Sequence, residues 1–563
     1  MSEALSTLAL LPCPRSVTDA AGLCPGQPVS RHVENCSLPA QGYRLRLSES
    51  GVEITAADPA GMFYAEATLA QVSRQATGAL PAGIIEDWPD FPVRGVMLDI
   101  SRDKVPTMET LESLVDLLSR MKINHLQLYT EHTFAYSNHR EVWEHASPMT
   151  AEEVRRLDAY CRERFVELAP NQNSFGHLER WLKLPRYIGL SECPEGFEWP
   201  WGGRSEGPFS LDPSNPASLV LLEGLFDELL PAFTSRRFNV GCDETFDLGQ
   251  GRNRERCQRE GKSRVYLQFL KEIYRRVADR GCTMLYWGDI IMEHPELVPD
   301  LPRDAIALEW GYESHHPFDD HGAKFRAAGV PWWVCPGTSS WNSFAGRTDN
   351  CLGNLRAAAK AGLRHGATGF LNTDWGDNGH WQFLPVSWLG LAAGAALSWC
   401  VAANEETDFV SELDAHVFRD RAAVMGAAAR DLGNAYLRTR ARIHNESALF
   451  QVLRHPDRAA APQGVTAGAV ADTRDWIKAA AARLAGARMD RADAKLVLEE
   501  YALTVRLMLL GCDRLDALIR GASPLPPSAG QLADIVQDYR RLWLARNRPG
   551  GLPDSVRRFE ALR

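Results

Sequence analysis

The 563-residue chain predicts an α/β protein: a (β/α)8 barrel, preceded by a small α+β domain and followed by a helical C-terminal region. Three observations carry that expectation. Between Arg94 and Gly376, eight short apolar, β-prone runs alternate with stretches of helical periodicity, a pattern that implies parallel strand pairing. Ahead of them lies a strand, turn, strand and helix pattern, and behind about Val401 the chain turns Ala- and Arg-rich with almost no strand signal. The expected divisions are residues 1–92, 93–400 and 401–563.

Taken in order, GYRLRLSESGVEITAADPAGMFYAEATLAQVSR supplies two strands and a helix, a unit ending near Pro92. The eight barrel runs are RGVMLDIS from Arg94, HLQLYTE from His125, FVELAPN from Phe165, FNVGCDET from Phe238, TMLYWGDI from Thr283, AIALEWGY from Ala305, VPWWVCPG from Val330 and TGFLNTDWG from Thr368. Between the first two, Leu111, Leu114, Val115, Leu118 and Met121 recur at helical spacing. Thr150 and Glu153 form a capping-box pattern before the third run, and Ser263 to Arg280 and Asn350 to Gly362 are further amphipathic helices. A polar insertion from Gly176 to Pro216 should lie over the barrel mouth, where Trp181, Trp199 and Trp201 favour a binding loop. The C-terminal helices are interrupted by an expected loop at His455 to Gly464, and a homodimer through them is an open option.

Composition narrows the function. A formal net charge of -10 and a pI near 5.9 argue against nucleic acid or an anionic membrane as the main partner. The run MSEALSTLALLPCPRSV has no basic residue ahead of its apolar stretch, as a secretory leader would, and no segment approaches the ~20 apolar residues of a membrane span. The twelve cysteines, among them Cys13, Cys24, Cys36, Cys161, Cys193 and Cys242, are scattered singly without a Cys-x-x-Cys pair. Reduced thiols in a cytoplasmic protein fit that pattern better than disulfides or a zinc site.

In a (β/α)8 barrel, chemistry sits where strands end. The strand ends here carry Arg102, Glu131 with His132, Asn171 leading to His177, Asp243 with Glu244, Trp287 with Asp289, Trp310 with Glu313, Trp341, and Trp375 with Asp377. Several indoles with one Arg, one His and carboxylates suit a pyranose, whose C–H faces stack on tryptophan while its hydroxyls take charged partners. The sharpest feature is VGCDETF, Val240 to Phe246, which puts two adjacent carboxylates at the end of an apolar run. A conventional retaining glycosidase uses two carboxyl groups about 5 Å apart across the scissile bond. The seventh run ends CPGTSSW, without a carboxylate. An adjacent pair suits substrate assistance instead, in which the sugar's own 2-acetamido oxygen attacks the anomeric carbon.

FPVRGVMLDISRD, the preceding GVEITAADPAGMFYAEATLAQ, the VGCDET motif and the strand-end tryptophans together resemble the family 20 glycoside hydrolases, the β-N-acetylhexosaminidases. The resemblance runs from about Gly42 to Trp399. It implies substrate-assisted retention by a barrel behind a small α+β domain, acting on a glycan with terminal β-linked N-acetylglucosamine or N-acetylgalactosamine, with no cofactor or metal. Asp243 then resembles the acetamide-orienting carboxylate, Glu244 the general acid/base and Arg102 the residue gripping the 3- and 4-hydroxyls. Glu131 stands where the family usually has Asp, His177 matches its third-strand histidine, and Asp377 replaces the Glu that binds the 4- and 6-hydroxyls. Trp287, Trp310 and Trp375 resemble the acetamide pocket walls. The family's seventh-strand Tyr-x-Asp is missing, which leaves Tyr312 or Trp341 as the substitute donor to the acetamide oxygen.

Two other readings stand beside this one. A metal-dependent hydrolase could gather His132, His177, Asp243 and Asp289, although no His-x-His follows the first run. A sugar-binding protein could keep the pocket without turnover. Of Trp332 and Trp333, which lie within a strand, at least one belongs to the core.

Overall fold

The computed structural model describes residues 4–33, 37–289, 292, 294, 297, 300–522 and 527–562. Cys36 and Ile290 lie outside the described residues. The N-terminal sheet contains β1 (Ser16–Cys24), β2 (Val29–Val33), β3 (Tyr43–Ser48), β4 (Gly51–Ala56) and β5 (Leu80–Asp87), in the order β1-β5-β3-β4-β2. Period-two alternation is plain in β3, where Tyr43, Leu45 and Leu47 are buried while Arg44 and Arg46 are exposed. The helix Pro59–Gln75 starts where Asp58 accepts a hydrogen bond from the Gly61 N–H (2.8 Å) and Pro59 occupies the first turn. Only two of the five strands were legible beforehand. β1 and β2 are largely exposed, so they carry no apolar alternation.

All eight expected barrel strands form, in parallel. They are β6 (Val93–Asp99), β7 (His125–Tyr129), β8 (Glu167–Ala169), β11 (Arg237–Asn239), β12 (Thr283–Trp287), β13 (Ile306–Trp310), β14 (Trp332–Cys335) and β15 (Gly369–Asp374); the short hairpin β9 (Phe197–Glu198) and β10 (Arg204–Ser205) belongs to the insertion. The order around the sheet is β11-β12-β13-β14-β15-β6-β7-β8. Closure between β8 and β11 rests on a bridge at Asn171 and Asn239, where Asn239 N–H donates to Pro170 O (3.0 Å) and Gln172 N–H to Asn239 O (2.9 Å). Interior positions are filled by Met97, Tyr129, Leu285, Trp287, Leu308, Trp333 and Leu371. Trp333 lies in this layer, and Trp332 packs in the main core outside it.

The two N-terminal layers are riveted by a buried ion pair. Lys122, on the turn after the first barrel helix (Met108–Arg120), places Nζ 2.8 Å from Asp87 Oδ2, and both side chains are fully buried. Asp87 also accepts from Tyr43 Oη (2.8 Å), Trp399 Nε1 (2.8 Å) and Arg15 N (2.9 Å). Lys122 sits over the Trp399 ring at 4.4 Å.

Behind the barrel, the C-terminal helices pack into its main core and reach the loops that follow β6 and β15. Ser555 Oγ donates to Gly379 O (2.6 Å), Tyr539 Oη to His380 O (3.2 Å), and Arg180 pairs with Asp554 (2.8 Å). Arg546, buried against Glu500 (2.7 Å), offers its carbonyl to Thr107 N–H (2.9 Å) at the start of the first barrel helix.

Replacing Lys122 with Met leaves the Asp87 carboxylate buried without a cation, which should cost about 3–5 kcal/mol in urea unfolding. The double variant Lys122→Met/Asp87→Asn should recover much of that loss. A single variant as stable as the parent would show that the pair does not join the two layers.

Candidate active site

The site begins with Asp99, the last residue of β6, whose side chain is fully buried. One oxygen accepts the Ser101 and Arg102 backbone N–H groups (2.9 and 3.0 Å). The other takes Arg102 Nη1 (3.1 Å) and the Gly376 N–H (3.0 Å) from the turn after β15. This carboxylate therefore aims Arg102 and ties together the loops that carry Arg102 and Asp377. Arg102 lies over the rings of Tyr129 (4.6 Å) and Trp375 (4.9 Å), with Nε 3.3 Å from Glu131 and Nη1 4.0 Å from Asp377. Burial raises the Glu131 carboxyl, and Tyr129 Oη donates to it at 2.9 Å. Burial also pushes Asp377 up to about 6, against the pull of Arg102.

The acidic pair sits on a turn of unusual backbone. The ladder does not stop at the end of β11: Val240 N–H still donates to Leu285 O (2.9 Å) and Trp287 N–H to Gly241 O (3.0 Å). The extended run expected to reach Thr245 breaks at Gly241, Cys242 and Glu244, which have φ of 68°, 71° and 52°. A side chain at Gly241 would put its Cβ 2.3 Å from Asn173 Oδ1, so only glycine fits there. The left-handed residues turn both carboxylates toward one point. His177, itself at φ 56°, places Nε2 3.3 Å from Asp243 and 3.3 Å from Glu244. At 3.3 Å both carboxylate oxygens lie at the edge of hydrogen-bond reach of that nitrogen.

Burial would lower the His177 pKa, but Asp243 and then Glu244 outweigh it and push it up to about 10. Reciprocally, burial would raise Asp243, and the His177 charge outweighs it and holds the carboxyl below its ordinary value. Asp243 also accepts a long hydrogen bond from Asn173 Nδ2 (3.4 Å). Glu244 is one-third exposed, and its N–H donates to Asp289 (3.2 Å). Burial and the neighbouring Asp243 charge raise Asp289 far above the carboxylate range, which keeps it protonated.

Aromatic rings form the wall. Trp287 and Trp375 meet at 5.9 Å, Trp310 stacks on Tyr312 at 5.2 Å, and Tyr312 meets Trp341 edge-on at 5.0 Å. Trp375 Nε1 donates to Tyr312 Oη (2.7 Å), and Thr373 lies beside the same hydroxyl. The indole N–H groups of Trp287 and Trp341 are buried without a hydrogen-bond partner, and Trp310 lies against Asp289. Buried donors left unpaired among these rings suit a polar ligand. The Thr338 and Ser340 hydroxyls of CPGTSSW both donate to the buried Asp374 (2.7 and 2.6 Å), a clasp beneath the pocket.

All eleven site residues expected from the sequence thus line one end of the barrel, in two linked groups: Arg102, Glu131, His177, Asp243, Glu244 and Asp377, and the Trp287, Trp310, Tyr312, Trp341 and Trp375 wall. Beyond Arg102, Glu131 and His177 opens a cleft of about 200 Å³, bounded by Arg180, Phe209, Asn378 and Arg558. Asp99, Tyr129 and Asn173 also lie in this group without a signal in the sequence, and Asp289, a strand-end carboxylate and member of the four-residue metal set, sits beside Glu244. In the insertion, Trp181 is no binding residue: it is fully buried and donates to Glu131 O (2.8 Å). Trp199 and the exposed Trp201 stack on each other at 5.0 Å beside Phe246, two residues past Glu244. The four-residue metal set is not gathered. His177, Asp243 and Glu244 present ligand atoms within 4.8 Å of one another, whereas His132 lines a separate cleft with Glu141, Val142 and His145.

Comparison with known proteins agrees with this geometry. Residues 91–341 match the model of the glycosyl hydrolase family 20 catalytic domain, and residues 8–88 match that of the family's domain 2. The chain is 23% identical over 306 residues to a lacto-N-biosidase of Bifidobacterium bifidum, covering 52% of this chain and 26% of that protein. A β-hexosaminidase of Akkermansia muciniphila is 25% identical, covering 48% and 61%. Hexosaminidase D of Bos taurus is 25% identical, covering 58% and 95%. The matched part thus spans less than two thirds of the first two relatives. Among solved structures, a β-N-acetylhexosaminidase superposes with TM-score 0.59 at 18% identity over 73% of this chain and 96% of the other. The Flavobacterium johnsoniae chitobiase superposes with TM-score 0.58 at 16% identity, over 96% and 99%. At these identities the structural likeness is one of fold.

The charge arrangement predicts that the His177 imidazole stays protonated until about pH 10, visible as a single high-pH titration of its ring protons by NMR. Asp243→Asn removes its main stabilising charge and should move that titration downward. An unshifted titration would show that Asp243 does not set the charge of His177.

Proposed function

Because this chain belongs to glycoside hydrolase family 20, we propose that it is a retaining exo-β-N-acetylhexosaminidase acting on terminal β-linked N-acetylglucosamine, with N-acetylgalactosamine as the second candidate sugar. The observation that carries this reading is the pairing of Asp243 and Glu244 on one turn, both 3.3 Å from the same His177 nitrogen. Acid and nucleophile of a conventional retaining pair flank the scissile bond from two sides. Carboxylates that leave one turn toward one point are poorly set to divide those roles, which supports a reaction in which the substrate supplies the nucleophile.

In the proposed reaction the acetamide oxygen attacks the anomeric carbon and the glycosidic bond breaks, with the leaving oxygen taking the Glu244 proton. Asp243, held as an anion, accepts the acetamide N–H and stabilises the positive oxazolinium that forms. Glu244, now a carboxylate, removes a proton from the water that opens the oxazolinium, which restores the acid and retains configuration. Arg102, Glu131 and Asp377 hold the ring hydroxyls, and Trp287, Trp310 and Trp375 enclose the acetamide. The donor to its oxygen is the Tyr312 hydroxyl or the unpartnered Trp341 N–H. The exposed Trp201, stacked beside Phe246, is placed to meet the leaving group. The substrate is an oligosaccharide or glycoconjugate. The eleven described cysteines are all unpaired, nine of them buried, which supports a reducing, cytoplasmic setting.

An aryl β-N-acetylglucosaminide should be hydrolysed and the matching aryl β-glucoside should not, with a chelator present in both assays. Cleavage of both would require a protein nucleophile. Glu244→Gln should lower turnover of a natural disaccharide by about 10²–10⁴-fold, with a smaller loss on an aryl substrate that leaves without help. Asp243→Asn should cut kcat on both.

Asp377 grips hydroxyls as an anion, and its carboxyl titrates at about 6. Substrate binding through it is therefore present above that pH and fades as pH falls through it. The kcat/KM profile should show this acid limb, and Asp377→Asn should remove the limb and hold kcat/KM near the low level the parent reaches below that pH. A limb unchanged in the variant would assign it to another group.

A further inference from the structure

Behind the aromatic wall lies a second cluster that the proposed reaction does not use. Glu309 is the fourth residue of β13, between Leu308 and Trp310, which face the barrel interior. By strand alternation its side chain points outward, toward the helix Phe318–Ala328, and it is 2% exposed. One carboxylate oxygen, Oε1, lies 2.9 Å from His316 Nε2 and 2.5 Å from His321 Nδ1. The imidazole rings stand at 87° to each other with centroids 5.3 Å apart, so they approach that oxygen from two directions. The ligand atoms of all three residues fall within 4.8 Å of one another. His316 is seated by Gly311, where a Cβ would come within 2.1 Å of its Nδ1.

The electrostatics of this cluster are unusual for a core. A buried carboxylate is costly unless a cation accompanies it, and among the described residues no Arg or Lys pairs with Glu309. Among the described residues its side-chain hydrogen-bond partners are the two imidazoles. A divalent cation would neutralise the carboxylate and take both rings as neutral ligands. Two imidazoles and one carboxylate, with a face toward solvent, are the ligands of a first-row cation that completes its shell with water. The two histidine side chains are 20% and 22% exposed, which supplies that face.

We propose that Glu309, His316 and His321 bind one first-row divalent cation, zinc foremost, and that this cation fixes the loop carrying Tyr312. The loop from Gly311 to Pro317 joins the strand that holds Glu309 to the helix that holds His321. Its inner side is tied down already: Glu313 pairs with Arg347 (2.9 Å), and Asn354 Nδ2 donates to the carbonyls of Gly311 and Glu313 (both 2.9 Å). Asn350 adds bonds to Tyr312 O (2.7 Å) and Ser314 N (2.9 Å), and on the side toward the helix the loop is held by the cluster. Tyr312 is the residue whose hydroxyl receives Trp375 Nε1, so anchors three residues before it at Glu309 and four after it at His316 set the wall of the pocket.

The test uses the full chain, stripped with a chelator and then titrated with cobalt(II). One equivalent should bind and give visible d–d absorption, and zinc should displace the cobalt and raise Tm over the stripped protein. His321→Ala and Glu309→Gln should abolish the absorption, and Asp243→Asn, which disrupts the His177 group, should keep it. Should either cluster variant fail to fold, the parent titration still decides, because a stripped protein that takes up no cobalt and melts identically with and without zinc overturns the proposal. Uptake that survives His321→Ala and vanishes in Asp243→Asn would also overturn it, since the cation would then sit among the reacting groups.

Discussion

The site depends on one buried carboxylate, that of Asp99. It receives four hydrogen bonds, three from its own loop and one from the Gly376 N–H, a residue 277 positions away. Without that acceptor the Ser101, Arg102 and Gly376 N–H groups would be left unpaired in the barrel mouth, each at a cost of about 1–3 kcal/mol. Satisfying them forces the turns after β6 and β15 together. That fixes Arg102 against Glu131 on one side and Asp377 on the other, and seats the guanidinium between Tyr129 and Trp375. The cation is thereby oriented before any ligand arrives. Burial opposes its charge, but Tyr129, Asp99, Glu131 and Asp377 outweigh that cost and raise the Arg102 pKa.

Backbone strain is concentrated in the same place. His177, Cys242 and Glu244 all adopt positive φ, as do Asp103 and Asn378 in the loops beside Arg102 and Asp377. Residues held in this region cost free energy and persist where their surroundings over-determine them. Here the surroundings are specific. Asn173 accepts the Cys242 N–H (3.2 Å) and donates to Tyr129 (2.9 Å), while Tyr266 Oη donates to Cys242 O (2.8 Å). The strain has a chemical product. In an extended strand Asp243 and Glu244 would face opposite sides; the left-handed kink brings both to His177.

The barrel was legible because parallel strands buried on both faces read as continuous apolar runs, and all eight stood out between helical segments. The acidic pair and the strand-end tryptophans were legible because residue type and position coincide in this architecture. What stayed hidden acts through neighbours remote in sequence. Asp99 looks like an ordinary strand-end carboxylate until Gly376 is beside it, and Asn173 gains its role only when Gly241 leaves room for it. Trp181 misled in the opposite sense. A tryptophan in a polar insertion reads as a ligand platform, yet burial and the bond to Glu131 O make it a support for the loop carrying Glu131.

The departure on the seventh strand follows from how the pocket is packed. Thr338 and Ser340 are engaged by Asp374, so neither hydroxyl is available to a ligand. The turn at Gly337 has no side chain, and a Cβ there would lie 2.4 Å from Trp341 and 3.0 Å from Tyr312. Trp341 and Tyr312 therefore occupy the space over this turn that a larger residue would need. Tyr312 is presented from the loop after the sixth strand, with its hydroxyl already oriented by the Trp375 N–H. A hydroxyl already oriented costs little reorganisation when a carbonyl-like oxygen arrives, which is the property the proposed donor requires. In the proposed reaction this favours Tyr312 over Trp341, and it puts that donor on the loop whose outer flank carries Glu309, His316 and His321.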